Sequence, residues 1–278
     1  MGGFDVSEEK FDFASYAMGQ KTGGGGGASV TVEALSVTQN GTTTAPSGKA
    51  YSPVTVDVFQ LESKAMGLNN LFAVSTLNSG FKPDVPENIV IVAPYCNDIT
   101  GMFTQYMANA TYSLGIKTVT LTLSHPTTAP SFLSKNSSIH TVTFPNGIEI
   151  RTNLRSMFEN PTALKHIYGT ITIQSGISAN NHTSAFSAPI LEDITFANGT
   201  IYESVTFNSP NLTDASLVSI ANGLDGTVTG KTLTHHATAK ARCGQIAGTV
   251  TEGVFAIDAQ GSTTLTDFIT QTKGWTLA

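Results

Sequence analysis

The sequence predicts an α+β repeat fold: a short solenoid with a parallel strand ladder, preceded by a small β module and an N-terminal anchor helix. Three observations support this prediction. An apolar-x-x-apolar-x-apolar spacing recurs between residues 116 and 207. Phenylalanines precede several of these segments. Five consecutive glycines at 23–27 separate a short N-terminal segment from the rest of the chain, and such a run behaves as a flexible tether.

Residues 1–22 are predicted to be an anchor segment that contains a short helix. Asp5 and Glu8 have the spacing of a helix N-terminal capping box, and Gly19 follows the apolar stretch. A helix this short is marginally stable alone in water, so it is expected to dock on a partner; folding back on its own chain is the alternative. The residues assigned to docking are Phe4, Phe11, Phe13, Tyr16 and Met18.

Residues 28–60 are predicted to form a small β module of two to four strands. Apolar and polar residues alternate in 30–37 and again in 51–58, and the Asn40-Gly41 pair between them is a strong turn signal. A module of this size is not stable alone, so it is expected to pack on the next domain or on further copies of itself. A connector with a helix near its start is expected over 61–88.

The repeat is assigned to residues 89–210. Four segments carry the full spacing: Ile116, Val119 and Leu121; Ile139, Val142 and Phe144; Leu191, Ile194 and Phe196; Tyr202, Val205 and Phe207. A fifth segment has Leu164 and Ile167 but Gly169 in the third place. Successive segments start 23, 25, 27 and finally 11 residues apart.

Phenylalanines in short helical or loop contexts precede these strands, at Phe103, Phe132, Phe158 and Phe186. A single strand with its return segment cannot bury its own apolar face. Stacked units would line the strands into a parallel ladder and the phenylalanines into a second interior column. A β-sandwich, whose strands also alternate, is the competing interpretation.

Two of these segments, 156–167 (SMFENPTALKHI) and 188–196 (APILEDITF), resemble BspA-type leucine-rich repeats of bacterial surface proteins and bacteriophage virion proteins. The C-terminal region 211–278 is similar to the capping region of such domains, and 40–56 resembles a short β module of phage tail and fibre proteins. The resemblance implies a virion protein such as a head fibre, decoration protein or tail adhesin. A glycine- and threonine-rich stretch at 243–263 departs from the pattern and is either a loop or an extra hairpin.

Composition limits the possible partners. The formal charge is −6 without any lysine or arginine run, which argues against nucleic-acid binding because phosphate neutralisation needs clustered cations. No stretch has the pattern of a signal peptide or the length of an apolar membrane span, so no membrane insertion is expected. Cys96 and Cys243 have no metal-site spacing and are expected to be free thiols.

Residue patterns typical of catalysis are sparse. The histidines lack metal-site spacing, His235 and His236 point to opposite faces of a predicted strand, and all are interpreted as isolated surface residues. The adjacent acids Glu192 and Asp193 also point apart, which disfavours a glycosidase pair. We therefore expect neither enzymatic activity nor a cofactor or metal.

A binding face is predicted on the outward positions of the strand ladder. The candidate ligand-binding residues are Thr141, Thr143, His166, Tyr168, Asp193 and Thr195. Hydroxyls beside an aromatic ring are a surface that a sugar can bind. Threonine also simply suits an exposed strand, which is the alternative explanation.

The sequence as a whole predicts a virion surface protein. Residues 1–22 would dock on a capsid or tail protein, and the repeat domain would meet a host surface glycan or protein, with homo-oligomerisation as a further possibility. A bacterial cell-surface adhesin and a polysaccharide depolymerase are the alternative functions.

Overall fold

The computed structural model describes residues 10–11, 30–39, 54–62, 66–67, 87–92, 96–104, 115–124 and 126–278, and before residue 87 it describes backbone alone. The strands before the repeat region are β1 (Lys10–Phe11), β2 (Val30–Gln39), β3 (Val54–Glu62) and β4 (Met66–Gly67). The repeat region contains β5 (Asn88–Val92), β6 (Cys96–Asp98), β7 (Thr118–Thr122), β8 (Thr141–Thr143), β9 (Ile148–Ile150), β10 (His166–Ile173), β11 (Asp193–Phe196) and β12 (Val205–Phe207).

The C-terminal region is mixed. Its strands are β13 (Thr232–His235), β14 (Ala247–Thr251), β15 (Val254–Ile257), β16 (Thr263–Thr264) and β17 (Thr276–Leu277). Its α-helices are α1 (Asp214–Gly223), α2 (Ala237–Cys243) and α3 (Leu265–Asp267). A 3₁₀ turn at Ala179–His182 and a π-helical turn at Phe268–Thr272 complete the described elements. No helix among the described residues has the length and apolar character needed to cross a membrane.

The main sheet has the order β1-β2-β3-β5-β7-β8-β10-β11, with β9 beside the second half of β10. Strands from β3 to β11 run parallel, whereas β1, β2 and β3 pair antiparallel. This parallel strand ladder with few helices confirms the α+β part of the predicted fold. The strands of the predicted β module belong to the same sheet, because β3 pairs with β5.

Burial follows the predicted apolar positions of the ladder. Val119, Val142 and Ile167 lie opposite one another on β7, β8 and β10 and are buried. The threonines that flank Val142 on the same strand are half-exposed. Each strand therefore buries one face and leaves a hydroxyl-rich face outward, as period-two alternation predicts.

The return segments form a second set of parallel backbone contacts. Gly101, Ser131, Ser156 and Ser184 occupy equivalent places with positive φ angles between 55° and 60°. The Ser131 N–H donates to the Arg155 carbonyl and the Ser156 N–H to the Thr183 carbonyl, both at 2.9 Å. Neighbouring return segments thus stack in register over the same core.

The predicted phenylalanine column is confirmed for all four residues, although one of them is displaced along the chain by one position. Counting two residues from each left-handed position gives Phe103, Leu133, Phe158 and Phe186. Phe132 is therefore one residue out of the column register. It is nevertheless fully buried, because its ring packs between Phe103 and Phe158 with centroid distances of 5.5 and 6.0 Å. The interior therefore accommodates an aromatic ring even when its residue is one position out of register.

The last repeat segment does not extend the strand ladder, contrary to the prediction. β12 pairs with β13, and β13 pairs with β17, in a separate parallel sheet. Phe207 of β12 stacks on Phe186 with centroids 5.3 Å apart, so this strand continues the phenylalanine column instead. The 11-residue spacing leaves no room for a return segment, which is why the chain enters the column directly.

Helix α1 covers the edge of the main sheet at β11. The Ser216 hydroxyl accepts the Ile194 N–H at 3.0 Å, and the Ser219 hydroxyl accepts the Phe196 N–H at 2.9 Å. These two N–H groups would otherwise face an open sheet edge, which is a site for non-specific strand pairing. The serine hydroxyls of a helix thus take the place of a further strand.

The stretch after Cys243 forms an extra hairpin, which resolves the alternative left open by the sequence. β14 pairs antiparallel with β15 and β16. Phe255 anchors the hairpin: it is buried, and its backbone N–H and carbonyl are both bound by the Asn222 side chain of α1.

The helical predictions near the N-terminus fail where they can be examined. Lys10 and Phe11 form a strand that pairs with Val30 and Thr31, and the expected connector helix is replaced by strand at 61–62 and 66–67. Helices that short have few internal hydrogen bonds, whereas a sheet edge supplies partners for the backbone at once. The other residues of the anchor segment and glycine tether lie outside the described residues.

Candidate functional site

The predicted binding residues meet on the outward face of three neighbouring strands. Thr141, His166 and Asp193 lie side by side on β8, β10 and β11. Thr143 lies opposite Tyr168 in the same register. Five of the six candidates are therefore brought together, while Thr195 lies farther along and pairs with Thr170.

A β-bulge in β10 shapes this face. Between the pairs His166–Asp193 and Thr170–Thr195, β10 has three residues and β11 has one. Gly169 lies in the bulge with a φ of +96°, and a Cβ placed there would lie 2.1 Å from the Phe144 carbonyl oxygen. Bulges of this kind redirect side chains next to binding sites. The neighbouring Tyr168 is 47% exposed, which is high for a large aromatic side chain.

A hydrogen-bonded chain fixes the polar part of the site. His166 Nδ1 lies 2.8 Å from Asp193 Oδ2, with the carboxylate accepting. The Thr213 hydroxyl lies 3.1 Å from Asp193 Oδ1 and 2.9 Å from Ser216 Oγ. Thr213 also caps α1 by accepting the Ser216 N–H at 3.2 Å. The helix that covers the sheet edge therefore positions the carboxylate of the site.

Stacking fixes the orientation of the two rings. The His166 imidazole and the Tyr168 phenol have centroids 5.6 Å apart and planes within 6° of parallel. One His166 nitrogen is bound to Asp193, so Nε2 is the nitrogen left to meet a ligand. The site thus combines an aromatic surface with oriented polar atoms.

An ion pair borders the site. Lys165 Nζ lies 3.0 Å from Glu192 Oε1, with both side chains partly exposed. Lys165 and Glu192 lie immediately before the first residues of β10 and β11. The adjacent acids Glu192 and Asp193 have different partners, in line with the prediction that they point apart. Lys165 and Glu192 offset each other, and Asp193 supplies the remaining formal charge of the site when His166 is neutral.

Among the described residues, no group of three or more histidine, cysteine, aspartate or glutamate side chains is placed to hold a metal ion. Both cysteines are buried, and Cys243 is a free thiol as expected. Burial raises the pKa of the Cys243 thiol to about 11, which keeps it protonated and poorly nucleophilic near neutral pH.

The prediction of isolated surface histidines is wrong for three residues. His166 is bound to Asp193, whereas His182 and His235 are buried. Burial lowers the pKa of His182, and burial lowers the pKa of His235 to about 4. His235 lies at the end of the aromatic column, with its ring centroid 5.7 Å from that of Phe207. His236 points outward and caps α2, so the two adjacent histidines do face apart.

Sequence reasoning missed two contributors. Thr213 lies 20 residues after Asp193, and its capping position before α1 gave no sign that it also contacts that carboxylate. Gly169 was visible only as a misfit in the repeat pattern. The outward positions of the strands predicted the site, and the misfit at Gly169 was the signal in the sequence for the bulge within it.

The predicted docking residues remain untested by the structure. Phe11 is described through its backbone in β1, and Phe4, Phe13, Tyr16 and Met18 lie outside the described residues.

Comparison of the chain with protein-family models, with curated proteins and with solved structures finds no significant match in any of the three.

Proposed function

We propose that this chain is a virion surface protein of the head-fibre, decoration or tail-adhesin type. Residues 1–22 dock it to a capsid or tail protein, and the glycine run 23–27 connects that anchor, whose Lys10–Phe11 strand pairs with β2, to the body. The body is a short leucine-rich-repeat solenoid of the BspA type, and its outward strand face meets the host surface. The chain acts by binding, without catalysis.

The solenoid assignment is supported by two sets of stacked segments. Strands β5, β7, β8, β10 and β11 stack in parallel on one side. Return segments stack on the other, with left-handed residues at Gly101, Ser131, Ser156 and Ser184. Successive turns separated by 30, 25 and 28 residues along the chain fit the period of a leucine-rich repeat.

The observation that carries the binding function is the bulge at Tyr168. Tyr168 lies on the outward face that the alternation predicts, opposite Thr143, and beside it the strand accommodates extra residues and presents the aromatic ring to solvent. Its polar neighbours are already bound to one another, so little ordering is needed when a ligand arrives. Many copies on one particle would strengthen weak individual contacts through avidity.

Location is tested on purified phage particles. Antibody labelling in electron microscopy is expected to place the protein on the virion surface. Detection in the bacterial envelope with none on particles would overturn the proposal and favour the cell-surface adhesin.

Anchoring is tested by deleting residues 1–22. The truncated protein is expected to be missing from particles while still folding, which mass spectrometry of virions and circular dichroism would measure. A matched deletion of residues 23–27 shortens the tether and retains the anchor, so it should still be incorporated. Incorporation of the 1–22 deletion at the normal level would reject the assigned anchor.

A further inference from the structure

We propose that the bulge of β10 binds a neutral saccharide, with Tyr168 as the surface on which the sugar ring stacks. This proposal rests on the proposed function because it names the ligand of the face presented to the host. It goes beyond that function by choosing one chemical class among glycans and proteins.

The aromatic part of the argument concerns Tyr168. Among the described residues, the exposed large hydrophobic side chains are those of Tyr168, Val254 and Ile257. The two aliphatic residues lie on β15, away from the ladder, so Tyr168 is the exposed aromatic ring. Sugar rings have C–H groups that pack on such a face, and the parallel His166 ring widens the flat surface.

The polar part of the argument concerns hydrogen-bond direction. Asp193 is an acceptor, and in neutral His166 the Nδ1 proton goes to Asp193, which leaves Nε2 as an acceptor too. The hydroxyls of Thr141 and Thr143 on β8 can donate or accept. A site rich in acceptors fits a ligand rich in hydroxyl donors. Apolar peptides do not meet that requirement.

Charge selects neutral sugars over acidic ones. Over β8, β10, β11 and the residue that precedes each strand, Lys165 is the sole lysine or arginine, and Glu192 already pairs with it. The nearby Asp193 carboxylate would repel a sialic acid, a uronic acid or a phosphate-bearing polymer. A neutral pyranose carries no such penalty.

The test uses the full chain on an array that carries neutral hexose and N-acetylhexosamine oligosaccharides beside sialylated, uronic and phosphorylated ones. Binding to members of the neutral set is expected, with weak or no binding to the acidic set. Tyr168→Ala should weaken binding by about tenfold or more, the scale of a lost aromatic contact in a specific site. Tyr168→Phe should retain most of it, because the ring is kept.

Two further variants distinguish an effect on the binding site from a general effect on the fold. Asp193→Asn should weaken neutral binding and remove the discrimination against acidic sugars. Thr120→Ala, on the same face of β7 but away from the bulge, should bind as the parent does. Thermal unfolding of each variant checks that the fold is intact. Because Tyr168 is exposed, its replacement is expected to leave the fold unchanged.

The proposal is overturned if no neutral sugar binds, if acidic sugars bind more tightly, or if folded Tyr168→Ala binds as the parent does. These results can be told apart from failure of the proposed function. A protein found on virions that binds no neutral sugar would reject the ligand and keep the location. Neutral-sugar binding through Tyr168 by a protein absent from virions would keep the ligand and reject the virion location.

Discussion

Replacing Gly169 with alanine tests whether the bulge depends on glycine. The backbone there has a φ of +96°, and an added Cβ would lie 2.1 Å from the Phe144 carbonyl oxygen. A left-handed conformation costs a non-glycine residue about 1–2 kcal/mol. Relieving the contact must move β10 away from Phe144, whose N–H now donates to the Tyr168 carbonyl at 2.8 Å. Loss of that bond adds about 1–3 kcal/mol, for a total of about 2–5 kcal/mol.

Urea unfolding followed by circular dichroism and by the fluorescence of buried Trp275 measures this loss. Gly176→Ala is the matched control, since its φ is +85° and no atom lies within 4 Å of the added Cβ. It should lose only the conformational part, about 1–2 kcal/mol. With a denaturant slope of about 3 kcal/mol per molar, the Gly169 variant should unfold about 0.3–1 M earlier than the control. Equal midpoints would refute the argument that the Phe144 contact requires glycine.

Other consequences concern pH and the edge of the main sheet. Burial lowers the pKa of His235 from 6.5 to about 4, so the unfolded chain binds a proton more readily than the folded chain between these values. The contribution of neutral His235 to the free energy of unfolding is therefore fully present above pH 6.5, and about 3 kcal/mol of it is lost on acidification to pH 4. His235→Phe should reduce that loss. An unchanged pH dependence of stability in this variant would contradict the argument. Ser216→Ala should cost about 1–3 kcal/mol by leaving the buried Ile194 N–H without its acceptor. Faster hydrogen exchange of the Ile194 amide would report the loss of this hydrogen bond, and Ser262→Ala at an exposed position is the control. Unchanged exchange would show that the Ser216 hydroxyl is dispensable.

The strand ladder was predictable because burial depends on a local pattern. An apolar residue at every second position has one way to hide from water in a sheet, so Val119, Val142 and Ile167 were found without any knowledge of their partners. The threonines between them follow for the same reason. Predictions that used only the period of a strand were therefore confirmed.

Predictions that needed length or three-dimensional context failed. The β12 segment has the right apolar spacing, but because its link to β11 is short it lies in the phenylalanine column and not in the main sheet. The apolar spacing alone does not show which of the two places a strand takes. The Phe132 ring lies in the predicted column, but the sequence did not show that its backbone is one residue out of register with the other members. Contacts between distant residues, such as Thr213 with Asp193, leave no periodic trace.

The one place where the repeat pattern breaks is also the place where the ladder changes shape. A repeat that served stacking alone would carry an apolar residue at 169, as Leu121, Phe144 and Phe196 do at the equivalent places. Glycine there admits a bulge beside exposed Tyr168, and buried Ile171 rather than residue 169 then lies opposite Phe196. Departures from local consistency tend to occur at functional sites, where stability is lost for another purpose. The break at Gly169 thus argues for ligand binding at this face more strongly than the surrounding threonines, which any exposed strand would tolerate.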